Sequence, residues 1–173
     1  MNINRCKDFF ISNKFNNFTD FEKMLSRIDD TIFKGDLFEY FNYIFFSLRK
    51  DKYQIKKTYL FDNIPSSLKN KYNLVPKSGK ERGCDGIVIH SDGTIFSYQT
   101  KFMSNRKIGA DKLMTSYQVG QRLDGWYVFS NVKTISHEFF KDNQKIPRVI
   151  LFNDLEILDK LFFQNLISYI QGK

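Results

Sequence analysis

The stretch Gly83-Cys84-Asp85-Gly86-Ile87-Val88-Ile89-His90-Ser91-Asp92-Gly93-Thr94-Ile95-Phe96-Ser97-Tyr98-Gln99-Thr100-Lys101-Phe102 decides the fold. Two runs rich in β-branched and aromatic residues, 86–90 and 94–102, flank the turn Ser91-Asp92-Gly93, which predicts an antiparallel hairpin. Side chains alternate along a strand, so Ser97, Gln99 and Lys101 share one face while Phe96, Tyr98, Thr100 and Phe102 share the other. A Lys and a Gln on one face of a core-like strand is a costly placement, because charged groups are expensive to bury. The turn fixes what stands opposite them. A three-residue loop with Gly93 left-handed pairs His90 with Thr94 and sets Asp85 opposite Gln99. A two-residue turn slips the register by one and sends Asp85 to the other face. A site built on these residues therefore requires the longer turn.

Working outward, the first part of the chain reads as mainly helical. Thr19 or Asp20 can cap a helix carrying Phe21, Met24, Leu25 and Ile28 at helical spacing. Gly35 reads as a break and Asp36 as the cap of a second helix with Leu37, Phe41, Ile44, Phe45 and Leu48 on its inner side. Phe38, Tyr40, Tyr43 and Phe46 occupy its remaining sides, so this helix should be buried between layers. Residues 64–81, with Pro65 and Pro76, read as an irregular or short-helix connection. After the hairpin come a helix over about 110–121, a strand over 125–130, a strand over 149–152 and a final helix over 154–171 capped by Asp154. That order favours an α/β fold, a mixed sheet of about four strands flanked by helices on both faces. A chain of 173 residues suits one domain, with core motifs over 35–152 and a helical part over 1–34.

Composition narrows the function classes. Hydrophobic residues make up 42% and 19 residues are Phe, which excludes a disordered tail. No uncharged apolar run approaches the length of a membrane span, so a membrane is not an expected partner. The first eight residues lack the layout of a secretory signal, and two cysteines make no disulfide framework, so an intracellular protein with reduced thiols is expected. Lys plus Arg is 27 against 19 Asp plus Glu, a net charge of +8 that favours a polyanionic partner.

An Asp, a Gln and a Lys converging at a strand end suit metal-assisted phosphodiester hydrolysis. Asp85 offers a hard anionic oxygen to Mg²⁺ or Mn²⁺ and the Gln99 carbonyl a neutral one. The ion would polarise the phosphate and acidify a bound water. Lys101 would orient that water or neutralise charge on the phosphate oxygens. Glu39, from the buried helix, is the candidate to complete the site, although its side of the helical wheel suits a cleft or solvent equally. Lys77, Lys80 and Arg82 before the hairpin, and Arg106 and Lys107 after it, can bracket a DNA backbone, with Gln118 on the following helix beside them. His90 and His137 are too far apart for a zinc pair, and Cys84 has no evident base.

Gly83-Cys84-Asp85-Gly86-Ile87 and Gln99-Thr100-Lys101, with thirteen residues between Asp85 and Gln99 and Cys84 where a Pro stands in the family name, resemble the PD-(D/E)XK, or restriction-endonuclease-like, nucleases. The match is closest to the Mrr-like branch, in which Gln replaces the second acidic residue. Gly35-Asp36-Leu37-Phe38-Glu39 is similar to that branch's first-helix motif, and the strand Trp126-Tyr127-Val128-Phe129-Ser130-Asn131 to its strand ending in a small residue and Asn. The resemblance implies a mixed sheet flanked by helices, Mg²⁺ dependence and a DNA substrate. It also implies a place at the N-terminus of a larger helicase-like protein, viral ones included, with a fused or associated helicase domain and room for a homodimer. A catalytically inactive nucleic-acid-binding module with the same fold is the alternative, and a protein-interaction domain a more distant one.

Overall fold

The computed structural model of the chain describes residues 1–74, 83–104, 107–136 and 146–173. Its centre is a five-stranded mixed sheet in the order β1-β2-β3-β5-β7, with β1 Ile55–Leu60, β2 Gly86–His90, β3 Ile95–Lys101, β5 Gly125–Ser130 and β7 Arg148–Ile150. Strand β1 pairs antiparallel with β2 and β2 antiparallel with β3, while β5 and β7 run parallel to β3. Two short helices, α4 Lys50–Tyr53 and α5 Ser66–Lys71, come before and after β1 in the chain. Parallel pairing demands a crossover, and α6, Met114–Gly120, supplies it between β3 and β5. Every residue of β5 is buried, as a strand inside a two-sided sheet requires. Two further short strands, β4 Lys107–Ile108 and β6 Thr134–Ile135, pair in parallel beside the main sheet.

The hairpin takes the longer turn. His90 N donates to Thr94 O at 2.8 Å, Gly93 N donates to His90 O at 3.0 Å, and Gly93 has φ +87°. Asp92 closes the loop by accepting from both the backbone N–H and the hydroxyl of Thr94, at 2.9 and 2.7 Å. A left-handed φ is free of steric cost at glycine, so the turn chemistry sets the register of everything downstream. Ile87 pairs with Ser97 and Gly86 with Tyr98.

Alternate residues of the sheet then go to two different cores. Val88, Phe96, Tyr98, Tyr127 and Phe129 pack against α3, Thr31–Leu48, while Ile87 and Ile95 meet Val119 and Leu123 around α6. Helix α3 is buried between layers. Its inner rings touch the sheet, with Phe46 at 5.1 Å from Tyr127 and 5.6 Å from Tyr98. Its outer rings meet α1 (Ile3–Ser12), α2 (Phe18–Ser26) and α8 (Lys160–Ile170), with Phe41 at 4.7 Å from Phe21 and 6.1 Å from Phe163. No described helix is long and apolar enough to cross a membrane.

Several boundaries differ from expectation. Helix α3 starts at Thr31 rather than Asp36, because the Asp30 carboxylate caps Phe33 N at 2.9 Å and Gly35 lies within the helix. A Cβ at Gly35 would meet nothing, so that glycine costs propensity without breaking the helix. Helix α2 is capped by Asn17, not Thr19 or Asp20, its side chain accepting from Asp20 N at 2.9 Å. The expected helix over 110–121 is a 3₁₀ turn, Ala110–Lys112, followed by α6. The expected final helix is two pieces, α7 Phe152–Leu155 and α8, the second capped by Asp159, so the strand before it ends at Ile150. Strand β1 was not expected at all, which makes the sheet five strands instead of about four.

Candidate active site

The site forms where β1 ends, β2 begins and β3 ends. Asp85 extends the hairpin ladder by one step: its N–H donates to Tyr98 O at 2.9 Å, and its carbonyl accepts from Phe61 N at 2.9 Å. It is thereby tied into the edges of both β1 and β3. Continuing the register places Asp85 opposite Gln99, and the side chains meet. Asp85 Oδ2 accepts from Gln99 Nε2 at 2.8 Å and from Thr100 N at 2.5 Å. Gln99 Oε1 accepts from Ser116 Oγ of α6 at 3.3 Å. All three side chains are buried, Asp85 and Gln99 at 4% exposure each.

Glycine at position 86 is a steric requirement of this corner. The Tyr98 side chain crosses over Gly86 and donates its hydroxyl to Tyr59 O at 2.8 Å. A Cβ there would collide with the Tyr59 carbonyl and the Tyr98 ring. Burial, and then the negative charge of Asp85, hold the Tyr98 phenol well above its usual range, so it remains a neutral donor beneath the site.

Helix α3 closes the site from the other core. Asn42 Nδ2 donates to Thr100 Oγ1 at 2.8 Å, fully buried, and fixes the rotation of the helix against β3. Glu39 lies about one turn earlier on nearly the same side. It lines a cavity of about 150 Å³ together with Met1, Leu60, Phe61, Asp62 and Asp85. The wheel position of Glu39 thus faces a cleft. Asp62, on the 3₁₀ turn Phe61–Asn63 after β1, is a third carboxylate that the sequence did not single out.

The other expected residues fall as follows. Lys101 ends β3, half-buried, on the same strand face as Gln99. Its carbonyl accepts from Ser130 Oγ at 2.5 Å, and it is not among the described residues of the 150 Å³ cavity. Lys107 on β4 and Gln118 on α6 are exposed. Lys77, Lys80, Arg82, Arg106 and His137 lie outside the described residues. His90 is structural: its Nδ1 stands 3.0 Å from Tyr53 O. Asn131 pins the end of β5, with Nδ2 donating to Glu22 Oε1 and Met103 O, both at 2.9 Å, and Oδ1 accepting from Met103 N at 2.8 Å.

Among the described residues, no three His, Cys, Asp or Glu side chains gather closely enough to hold a metal ion. The donor set at this corner is different in kind, two carboxylates and an amide, all hard oxygen ligands of the type Mg²⁺ and Mn²⁺ take. A cavity of about 150 Å³ between Glu39 and Asp85 has room for a hydrated cation. The Gln99 amide turns its N–H₂ to Asp85 and its oxygen to Ser116, so ligation through oxygen needs a half-turn of the terminal amide. Asp85 and Glu39 line that cavity and suit a divalent ion, while Gln99 does not line it and would join them only with that rotation. Comparison with known proteins found no matching family model, curated protein or solved structure.

Proposed function

We propose that the chain is a metal-dependent nuclease domain that hydrolyses DNA phosphodiester bonds, acting within a larger helicase-like DNA-processing protein. The observation that carries this is the pairing of Asp85 with Gln99 on adjoining strands, with Glu39 on the wall of the same cavity as Asp85. A mixed sheet with helices on both faces, the restriction-endonuclease-like core implied by the Asp…Gln-x-Lys resemblance, supports it, as does the net charge of +8.

Asp85, Glu39 and the Gln99 carbonyl would hold Mg²⁺ or Mn²⁺. Such an ion, when bound, supplies positive charge to the scissile phosphate and acidifies water. The protein does the rest by positioning. Thr100 N and the register of the hairpin hold the Asp85 carboxylate, and Ser116 holds the Gln99 amide. Lys101, two residues further on the same strand face, neutralises charge developing on the phosphate oxygens through its ammonium.

Lys101→Ala tests this. Cleavage of DNA in Mg²⁺ should fall by about 10²-fold or more, the scale of one lost charge-stabilising group. Affinity for the same DNA, measured in chelator, should change by less than about tenfold, since only one ion pair is lost. Mg²⁺-dependent cleavage that persists in the variant counts against the assignment.

One observation favours an inactive nucleic-acid-binding module instead. The Gln99 amide is satisfied on both ends by protein, donating to Asp85 and accepting from Ser116. A site retired from metal binding would look the same. Titrating the protein with Mn²⁺ separates the two: a nuclease site takes up the ion with heat or a stability gain that Asp85→Asn abolishes, and a retired one does not.

A further inference from the structure

A second cavity adjoins the first. It has a volume of about 310 Å³ and is lined by Lys7, Tyr40, Tyr43, Leu60, Asn63 and Tyr169, among others. Leu60 lines both cavities, and two pairs of sequence neighbours, Glu39–Tyr40 and Asp62–Asn63, divide one residue to each. The two are therefore successive chambers of one cleft, carboxylates in the first and phenol rings in the second.

The chemistry of the second chamber is unlike the rest of the core. Elsewhere the rings that fill the interior are mostly phenylalanines, packed within the main cluster. Here three tyrosines from α3 and α8 meet an amine and an amide. The Tyr40 and Tyr43 rings stack at 6.1 Å with 21° between planes, and the Tyr43 and Tyr169 hydroxyls lie 3.4 Å apart. Tyr40, 3% exposed, is spent on packing and Tyr43 packs one side against the main core, which leaves the half-buried Tyr43 and the 37% exposed Tyr169 with ring surface open to the chamber. Flat aromatic faces with polar groups at the rim are what a nucleobase requires: a face to stack on and donors for its edge. Lys7 adds a cation for the attached phosphate.

Spacing links the chambers. Tyr43 follows Glu39 by four residues, about 6 Å along the helix on the same face. One nucleotide bridges that span, with its phosphate at the carboxylates and its base at the rings.

We propose that the tyrosine-lined chamber receives the base of the nucleotide next to the scissile phosphate, so that the substrate is single-stranded DNA, including frayed ends and flaps, rather than intact duplex. A base stacked on a protein ring cannot also be stacked and paired in a duplex. This rests on the nuclease reading for the location of the scissile phosphate, but stacking is measurable without cleavage.

The experiment uses a short single-stranded oligonucleotide carrying 2-aminopurine, whose fluorescence is quenched on stacking, bound in the presence of chelator. Wild type should quench the probe, and the same probe within a closed duplex should respond little. Tyr169→Ala should reduce the quench and weaken binding by about 5- to 100-fold, the scale of one lost base–aromatic stack. Tyr43→Phe keeps the ring and should retain the quench, which controls for misfolding. Equal quenching by wild type and Tyr169→Ala, tighter binding to duplex than to single strand, or no binding of the oligonucleotide overturns the proposal. Should stacking behave as stated while Mg²⁺ cleavage survives Lys101→Ala, the base site stands and the catalytic assignment falls.

Discussion

Replacing Gln99 by Glu probes the corner where the whole site meets. In the protein, Gln99 Nε2 donates to Asp85 Oδ2 at 2.8 Å inside a site that is 4% exposed. Gln99→Glu puts a second carboxylate in place of the donor. At that separation two unit charges repel by about 6 kcal/mol at an effective dielectric of 20. The chain has a cheaper course. Protonating a carboxyl of ordinary pKa at pH 7 costs only about 4 kcal/mol, and the resulting O–H can donate to Asp85. The variant should therefore lose about 3–4 kcal/mol at pH 7 in chelator, a large share of a typical stability of about 5–15 kcal/mol. The sign of the pH dependence follows. The introduced carboxyl binds its proton more tightly in the folded state than in the unfolded one, so stability falls as pH rises above about 4.3, by about 1.4 kcal/mol per pH unit. Near pH 4.5 the deficit should almost vanish.

On the nuclease reading Mg²⁺ should reverse the penalty, because two carboxylates that repel one another are jointly attracted to a cation between them. At a concentration about 100-fold above its dissociation constant, Mg²⁺ restores about 2.7 kcal/mol, and wild type should gain less, with one ligand charge fewer. Urea unfolding at pH 4.5 and 7, with chelator and with Mg²⁺, reads all four cells. A variant as stable as wild type in chelator at pH 7 would refute the Asp85–Gln99 contact. A variant destabilised as stated but indifferent to Mg²⁺ and Mn²⁺ would refute the cation site while leaving the contact intact.

Gly86→Ala drives a methyl into the Tyr59 carbonyl and the Tyr98 ring and parts the hydrogen bond between them, so it should cost about 2–5 kcal/mol. A loss below about 1 kcal/mol in urea unfolding would show that Tyr98 does not cross over that glycine. At high pH the protein should unfold cooperatively. Burial pushes the Cys6 thiol up to about 12, and burial also raises the Tyr43 and Tyr53 phenols to about 12. Groups whose pKa is raised on folding stabilise the fold below their unfolded values of 9.0 and 10.0, and that contribution is lost as pH climbs toward 12. The tyrosinate absorbance of these buried phenols should therefore rise in one step, together with loss of circular dichroism. A gradual rise at ordinary tyrosine pKa in the folded protein would contradict it.

The hairpin was legible because both of its signals are local. Period-2 alternation and a Gly-terminated loop lie within twenty residues, and the loop alone decides the register. Strand β5 was legible for the same reason, an unbroken run of Trp126, Tyr127, Val128 and Phe129 between Gly125 and Ser130. Strand β1 was not, since Ile55-Lys56-Lys57-Thr58-Tyr59-Leu60 is an edge with two consecutive exposed lysines and a register shift between Ile55 and Lys57. Its identity comes from its partner, not its own pattern, as is common for edges defended by lysine. With β1 unread, Asp62 immediately after it had no reason to be noticed. The start of α3 failed differently: Gly35 looked like a break, but an internal glycine only lowers propensity, and the Asp30 cap with eighteen residues of packing outweighs it.

The placement of Glu39 shows what a helical wheel lacks. Its angular position was known, but an amphipathic ranking cannot orient a helix that is apolar on every side. The orientation is set by one buried polar contact, Asn42 to Thr100, between residues 58 apart in sequence. That contact is imperfect, for Asn42 Oδ1 has no hydrogen-bond partner among the described residues while buried from solvent. A residue that serves only packing would be better replaced by Leu, because an unmet buried carbonyl carries a penalty of about 1–3 kcal/mol. What the asparagine secures instead is rotation: it turns the Glu39 face of α3 toward the cavity that Asp85 also lines. The site is thus positioned by two devices of opposite range, a three-residue turn that sets the register of Asp85 against Gln99 and a single long-range amide that brings Glu39 to the cavity Asp85 also lines.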